Sequence, residues 1–243
     1  MTTFLVIAAA LWGAAAGAFL PRAAYRFSVP SGEEWRTTCP GEHPLGGWIG
    51  WARCTQCEQR EQSYGPPVAL LSTLTALVCA ALAAATGTRP EIAVWLLLAP
   101  VGVLLAVVDL RVQRLPDVLT LPLAGAALAL LGVMAFVPEH TGDWLTALLG
   151  ALALGGGYFV LFLINPAGMG FGDVKLALGM GAVLGWYGWP TVMLGTFAGF
   201  LLGALYGGAL VVARKAGRKT AIPFGPFLIM GAFVGLLIGA YAA

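Results

Sequence analysis

The chain has 243 residues, 59% of them hydrophobic and 10% charged, with a mean hydropathy of +0.87 and a net charge of +2. An ordinary soluble domain carries about 25% charged residues, so that class is excluded and the chain reads as an all-α polytopic membrane protein. The slight positive balance points to no nucleic-acid partner; the distribution of the charges is a topology signal.

Eight apolar stretches are predicted to span the bilayer, at 4–20, 67–86, 91–109, 118–137, 144–164, 174–189, 190–213 and 224–242. Most reach the ~17 to 25 residues that cross the hydrocarbon, but the sixth is short and meets the seventh at Trp189-Pro190. The first stretch ends in small residues, Ala14 to Ala18, as a cleavable secretory signal would. No basic residue precedes it, however, and Arg22 and Arg26 follow it, the charge order of a retained helix running from outside to inside.

Of the 13 Lys and Arg, five lie in 21–66 (Arg22, Arg26, Arg36, Arg53, Arg60), and Arg111, Arg114 and Lys175 follow. Arg214, Lys215, Arg218 and Lys219 complete the set on one side of an eight-span topology, and only Arg89 falls on the other. The positive-inside rule then makes those loops cytoplasmic and puts both termini outside. The predicted division is a first transmembrane helix at 1–20, a small cytoplasmic domain at 21–66 and a membrane core at 67–243.

The 21–66 segment turns abruptly to Pro, Gly, Glu, Arg and Gln and holds three of the four Cys. A domain this small lacks a sufficient core and needs a metal or disulfides, and a reducing cytoplasm favours the metal. Cys54-Thr-Gln-Cys57 has the spacing of a zinc knuckle, and Cys39 offers a third thiolate, with His43 or Glu42 as the fourth ligand. The alternative is a redox pair or unrelated thiols. Cys79, inside the second span, reads as a packing residue. Glycines spaced as Gly199-x-x-x-Gly203 and Gly231-x-x-x-Gly235 predict close helix contacts.

Chemistry is expected at Asp109 and Asp173, two of only four Asp, each at the inner end of an apolar span. A carboxylate beside hydrocarbon loses hydration worth several kcal/mol, so its retention calls for a use or a partner. Asp117 and Asp143 read as helix caps, and Asp173, at a helix start, could be one too. Asp109, at a helix end where the dipole opposes negative charge, is not explained by capping. If the two meet, they cannot both ionise cheaply, which leaves one base and one acid, the apparatus of an aspartyl protease. Gly168, Gly170 and Gly172 lead into Asp173 with little side-chain bulk, where a substrate strand could approach. Lys175 could hold the acidic site or meet substrate, or be a topology charge alone.

Three stretches carry a resemblance: Val108 to Pro122 around Asp109, Gly168 to Leu176 around Asp173, and Ile222-Pro-Phe-Gly-Pro-Phe-Leu228 followed by Gly231-Ala232. They resemble the prepilin peptidases of type IV pili and type II secretion, bacterial inner-membrane aspartyl proteases of the Gly-x-Gly-Asp type. The resemblance implies about eight transmembrane helices with a small cytoplasmic zinc-ribbon-like loop between the first two, and Asp109 and Asp173 as the catalytic pair. It also implies a prepilin or pseudopilin substrate whose basic leader is cut on the cytoplasmic side, and many members methylate the new N-terminus from S-adenosylmethionine.

Two departures stand out. Pro21 replaces the usual asparagine after the first helix, and the first of the family's two Cys-x-x-Cys pairs keeps only Cys39, with Glu42 at its partner's place and His43 next door. From other classes, a proton- or ion-coupled carrier using the two Asp as relays, or an inactive assembly scaffold, would fit some of the same residues.

Overall fold

The computed structural model describes residues 2–57, 63–166, 168–213 and 222–243. Arg60, Arg214, Lys215, Arg218 and Lys219, used above to orient the chain, lie outside the described residues. The described residues form α1 (Thr2–Ala18), α2 (Leu20–Phe27), α3 (Val68–Thr86), α4 (Ile92–Val112), α5 (Asp117–Met134), α6 (Trp144–Ile164), α7 (Phe171–Gly185), α8 (Trp189–Val212) and α9 (Gly225–Ala242).

A helix lies at each place where a span is predicted. Six are individually long and apolar enough to cross a membrane, and α1 with α2, bent by 45°, makes a seventh. The bend falls where the predicted first span ends. Pro21 has no N–H to give to the preceding turn, so it ends one helix and suits the first turn of the next. The short sixth stretch becomes α7, 15 residues or about 22 Å long, which falls short of the hydrocarbon thickness by itself. It is nevertheless largely enclosed by the other helices, with Val174, Leu176, Ala177, Gly181, Leu184 and Gly185 all buried. The break before α8 falls at Trp186–Gly188, where Gly188 takes φ +92° and Pro190 occupies the first turn.

Contact between helices comes from backbones meeting at glycine, as expected where lipid gives no hydrophobic drive for association. On the α6–α7 seam a Cβ at Gly181 would lie 2.3 Å from the Gly150 carbonyl, and one at Gly185 2.5 Å from the Thr146 carbonyl. Between α8 and α9, Gly231 and Gly235 sit against Gly195 and Gly199, whereas Gly203 faces the rings of Phe224 and Phe227. Gly181→Val should therefore cost about 3 kcal/mol or more, because the Gly150 carbonyl and the Ala151 Cα are backbone atoms that cannot retreat. Gly156→Ala, which meets nothing within 4 Å, should stay within about 0.5 kcal/mol of wild type. Thermal unfolding of both proteins in one detergent checks the pair.

A polar network closes the end of the bundle away from the two aspartates. Glu91, fully buried ahead of α4, accepts from the Thr141 hydroxyl at 2.8 Å and the Tyr187 hydroxyl at 3.3 Å. Arg89 donates to Thr141 and to the Ala240 carbonyl near the end of α9. The ends of α4 and α7 opposite those that carry Asp109 and Asp173 are thereby fastened together.

Candidate active site

Asp109 lies in the last turn of α4 and Asp173 is the third residue of α7; both are buried, at 4% and 7% exposure. They line one cavity of about 430 Å³ at one end of the bundle, together with Gln113, Arg114, Leu115, Lys175 and others. Asp173 is within electrostatic reach of Asp109.

Each carboxylate is held by the amide at a helix start. Gly170 donates its N–H to Asp173 Oδ2 at 3.1 Å, and the Asp173 N–H donates back to the Gly170 carbonyl; the N-cap expected of Asp173 is therefore corrected, since Gly170 holds that position and the Asp173 carboxylate reaches back to it from the third helical residue. For Asp109 the partner comes from a distant segment. Gly225, the first residue of α9, donates its N–H to Oδ2 at 3.0 Å, so an aspartate at the unfavourable end of α4 sits at the favourable end of α9. Position 225 leaves no room for a side chain: a Cβ there would lie 2.8 Å from the same oxygen.

The neighbouring predicted residues divide. Gly170 and Gly172 line the cavity, and Gly172 packs on Leu115; Gly168 is exposed in the turn after Asn165 and is not part of the lining. Lys175 lines the cavity, pairs with Asp117 Oδ2 at 2.6 Å and lies over the Phe171 ring. The expectation that Asp117 caps α5 is corrected: Pro116 holds the cap position, and the Asp117 carboxylate turns to Lys175 on α7 instead. Asp143 is the cap predicted for α6, accepting from the Thr146 N–H at 2.8 Å.

Two lining residues escape a sequence reading altogether. Ser31 and Trp35 belong to the polar segment and close the cavity from outside the membrane core. Arg114 fastens that wall: it donates to the carbonyls of Val29, Pro30 and Glu33 and lies over the Trp35 ring, whose other neighbour is Phe27. No spacing rule joins position 35 to position 173. The one sequence signal is the short 113–116 connection between α4 and α5, which puts Arg114 at the cavity mouth.

Behind that wall, Cys39, His43, Cys54 and Cys57 bring four ligand atoms within 4.8 Å of one another, a group that could hold a metal ion. His43 Nδ1 lies 3.6, 3.7 and 3.4 Å from the sulfurs of Cys39, Cys54 and Cys57, and Cys39 lies 3.7 Å from Cys57. Tetrahedral bonds of about 2.0–2.3 Å require ligand separations of about 3.5–3.8 Å, so the set fits. Of the two candidates for the fourth ligand, His43 is in the cluster and Glu42 is not. The turn Cys39–His43 closes with Cys39 N–H on the His43 carbonyl, and Glu42 takes φ +61° within it, pointing the following residue inward. The Gln56 backbone amide beside Cys54 holds its thiol down at about 7, while sharing a hydrogen with Cys54 pushes Cys57 up to about 11. Isolated bridges Thr38–Pro44 and Arg53–Ser63 flank the two ligand pairs as in a zinc ribbon.

The fold and site define a multi-pass helical membrane protein with two buried carboxylates sharing a cavity at one end of its bundle. Residues 96–208, which include both aspartates, match the type IV leader peptidase family. Three relatives share the name prepilin leader peptidase/N-methyltransferase. That of Aeromonas salmonicida (strain A449) is 37% identical over 207 residues, 81% of this chain and 66% of its own length. That of Stutzerimonas stutzeri is 30% identical over 97% of this chain and 78% of its own, and that of Burkholderia pseudomallei (strain 1026b) 32% identical over 89% and 70%. The chain thus belongs to the type IV leader peptidase family, although it spans just under two thirds of the length of the Aeromonas relatives it matches. No solved structure matches it.

Proposed function

We propose that the protein is a membrane aspartyl endopeptidase that removes the basic leader of a type IV prepilin or pseudopilin, with Asp109 and Asp173 as its catalytic pair. The observation that carries this reading is the shared cavity: two buried carboxylates, each with a helix-start amide on one oxygen and, among the described residues, no hydrogen bond on the other. Close carboxyl groups do not both ionise, so one acts as base and the other as acid. The base takes a proton from water as its oxygen adds to the scissile carbonyl carbon, and the acid protonates the carbonyl oxygen. The tetrahedral intermediate then collapses: the C–N bond breaks, the departing nitrogen takes the proton held by the former base, and a gem-diol hydroxyl returns its proton to the former acid. Gly170 and Gly172 leave space for an extended substrate segment beside Asp173, and Lys175, tied to Asp117, keeps the α5 and α7 starts in register.

The chain is placed in the bacterial inner membrane, with both termini outside and the cavity at the cytoplasmic face. Arg111, Arg114 and Lys175 share the cavity end with the 21–66 module, which supports that orientation. Its partners are then the pilin-like substrate and membrane lipid, with no nucleic acid. Residues 21–66 are a module in which Cys39, His43, Cys54 and Cys57 would hold a structural zinc; bound there it would tie those loops together and, through them, the Ser31 and Trp35 wall over the core at 67–243. The relatives' names pair cleavage with N-methylation, so methylation of the new N-terminus, with S-adenosylmethionine as donor, is the second activity to score.

Co-expression with a candidate prepilin, scored by mass spectrometry for leader removal and for an added methyl group, tests both activities. Loss of the leader is expected; an unprocessed prepilin beside a folded, membrane-inserted protein refutes the reading. Gly225→Ala should slow cleavage by about 10- to 100-fold by displacing the Asp109 carboxylate, while thermal stability stays within about 2 kcal/mol of wild type. Cleavage rate and unfolding midpoint, measured on the same preparation, check it.

A further inference from the structure

The loop from Gly46 to Trp51 is built the reverse way from a soluble loop. The Arg22 guanidinium occupies its interior, donating to the carbonyls of Gly46, Ile49 and Trp51, and Gly47 and Gly50 take φ +72° and +131° to turn those carbonyls inward. The apolar side chains point outward: Ile49 is 67% exposed and Trp51 55%. Trp48 is tethered, stacked on Phe27 with Arg26 over its face, so the other two form the free tip. In water this arrangement would leave large apolar groups unpaired around a half-buried arginine. At the edge of a bilayer it is favourable, because carbonyls there need an internal donor and Trp prefers the headgroup region.

The depth of the tip is fixed by the spanning helices. Gly50 donates its N–H to the Phe19 carbonyl at 2.7 Å, at the end of α1, and the Arg22 N–H donates to the Gly50 carbonyl at 3.0 Å. On the other flank Tyr64 donates to the Ala52 carbonyl, and Gly65 packs on Ala52 and the Pro21 carbonyl just before α3 begins. The tip is therefore level with the points where the chain leaves α1 and enters α3, beside the exposed, lipid-facing Phe19 and Leu70. We propose that Ile49 and Trp51, with Phe19, form an interfacial anchor that inserts among the lipid headgroups and upper acyl chains and seats the metal-ligand module on the bilayer. The anchor stands independently of the peptidase chemistry.

The test is tryptophan emission from the full chain in nanodiscs, comparing wild type with Trp51→Phe. The difference spectrum is the emission of Trp51. It should fall roughly twofold or more when the phospholipid is brominated near the headgroup end of its acyl chains, and aqueous iodide should leave it unchanged. Quenching by iodide with none by bromine would place the tip in water; quenching by neither would mean that a second copy or another part of the protein covers it. Either result overturns the anchor. Ile49→Trp in the Trp51→Phe background moves the reporter to the other tip position and should respond to bromine in the same way, which keeps the test decisive if one variant folds poorly.

Discussion

Asp109→Asn and Asp173→Asn should each lower leader cleavage by about 10³- to 10⁴-fold while the protein still folds and inserts. Asparagine keeps the size of the side chain and a carbonyl oxygen able to accept from Gly225 or Gly170, so both helix starts stay capped. What is lost is the carboxyl group. The mechanism needs a base and an acid together, so the double variant should be no slower than either single one. Cleavage kinetics on a purified prepilin, with unfolding midpoints as the control for folding, give this result directly. A carrier would lose ion flux with these changes, and a scaffold would lose nothing.

The second large effect is expected at the metal-ligand cluster. Structural zinc in small modules contributes apparent binding energies of about 10–16 kcal/mol, most of which is folding energy, and 21–66 has little core to replace it. Cys54→Ser or His43→Ala should abolish metal binding, measured as bound zinc per chain, and should open 28–57 to proteolysis. Glu42→Ala, outside the cluster, should retain the metal. Because Ser31 and Trp35 reach the cavity from this module, its loss should also slow cleavage by about 10- to 100-fold, with α3 to α9 still protected.

Much of the architecture was legible because hydropathy over ~20 residues reports spans without knowledge of their neighbours. The weak points were also visible. The short sixth stretch and the Trp189-Pro190 junction are where α7 stops early, and Pro21 is where α1 bends. A carboxylate at the end of one predicted span and the start of another was enough to expect both at one depth, and the structure brings both to one cavity. The geometry that depends on distant pairing was not legible. Nothing local in Asp109 points to the amide of Gly225, 116 residues away, or in Asp117 to Lys175 rather than its own helix. Trp35 is similarly silent, because its place on the cavity wall depends on Arg114 reaching across from another element. For His43 against Glu42 the sequence offered both donors, and the turn geometry selected between them.

The proposed chemistry requires the two acidic side chains to share one cavity, and the most direct measurement is their proximity in the membrane. Cysteines replacing Asp109 and Asp173, in a Cys79→Ser background with the module's metal in place, should be joined by a short bifunctional thiol reagent. Peptide mass mapping should then find α4 linked to α7. Both positions labelled singly with no α4–α7 link would contradict it.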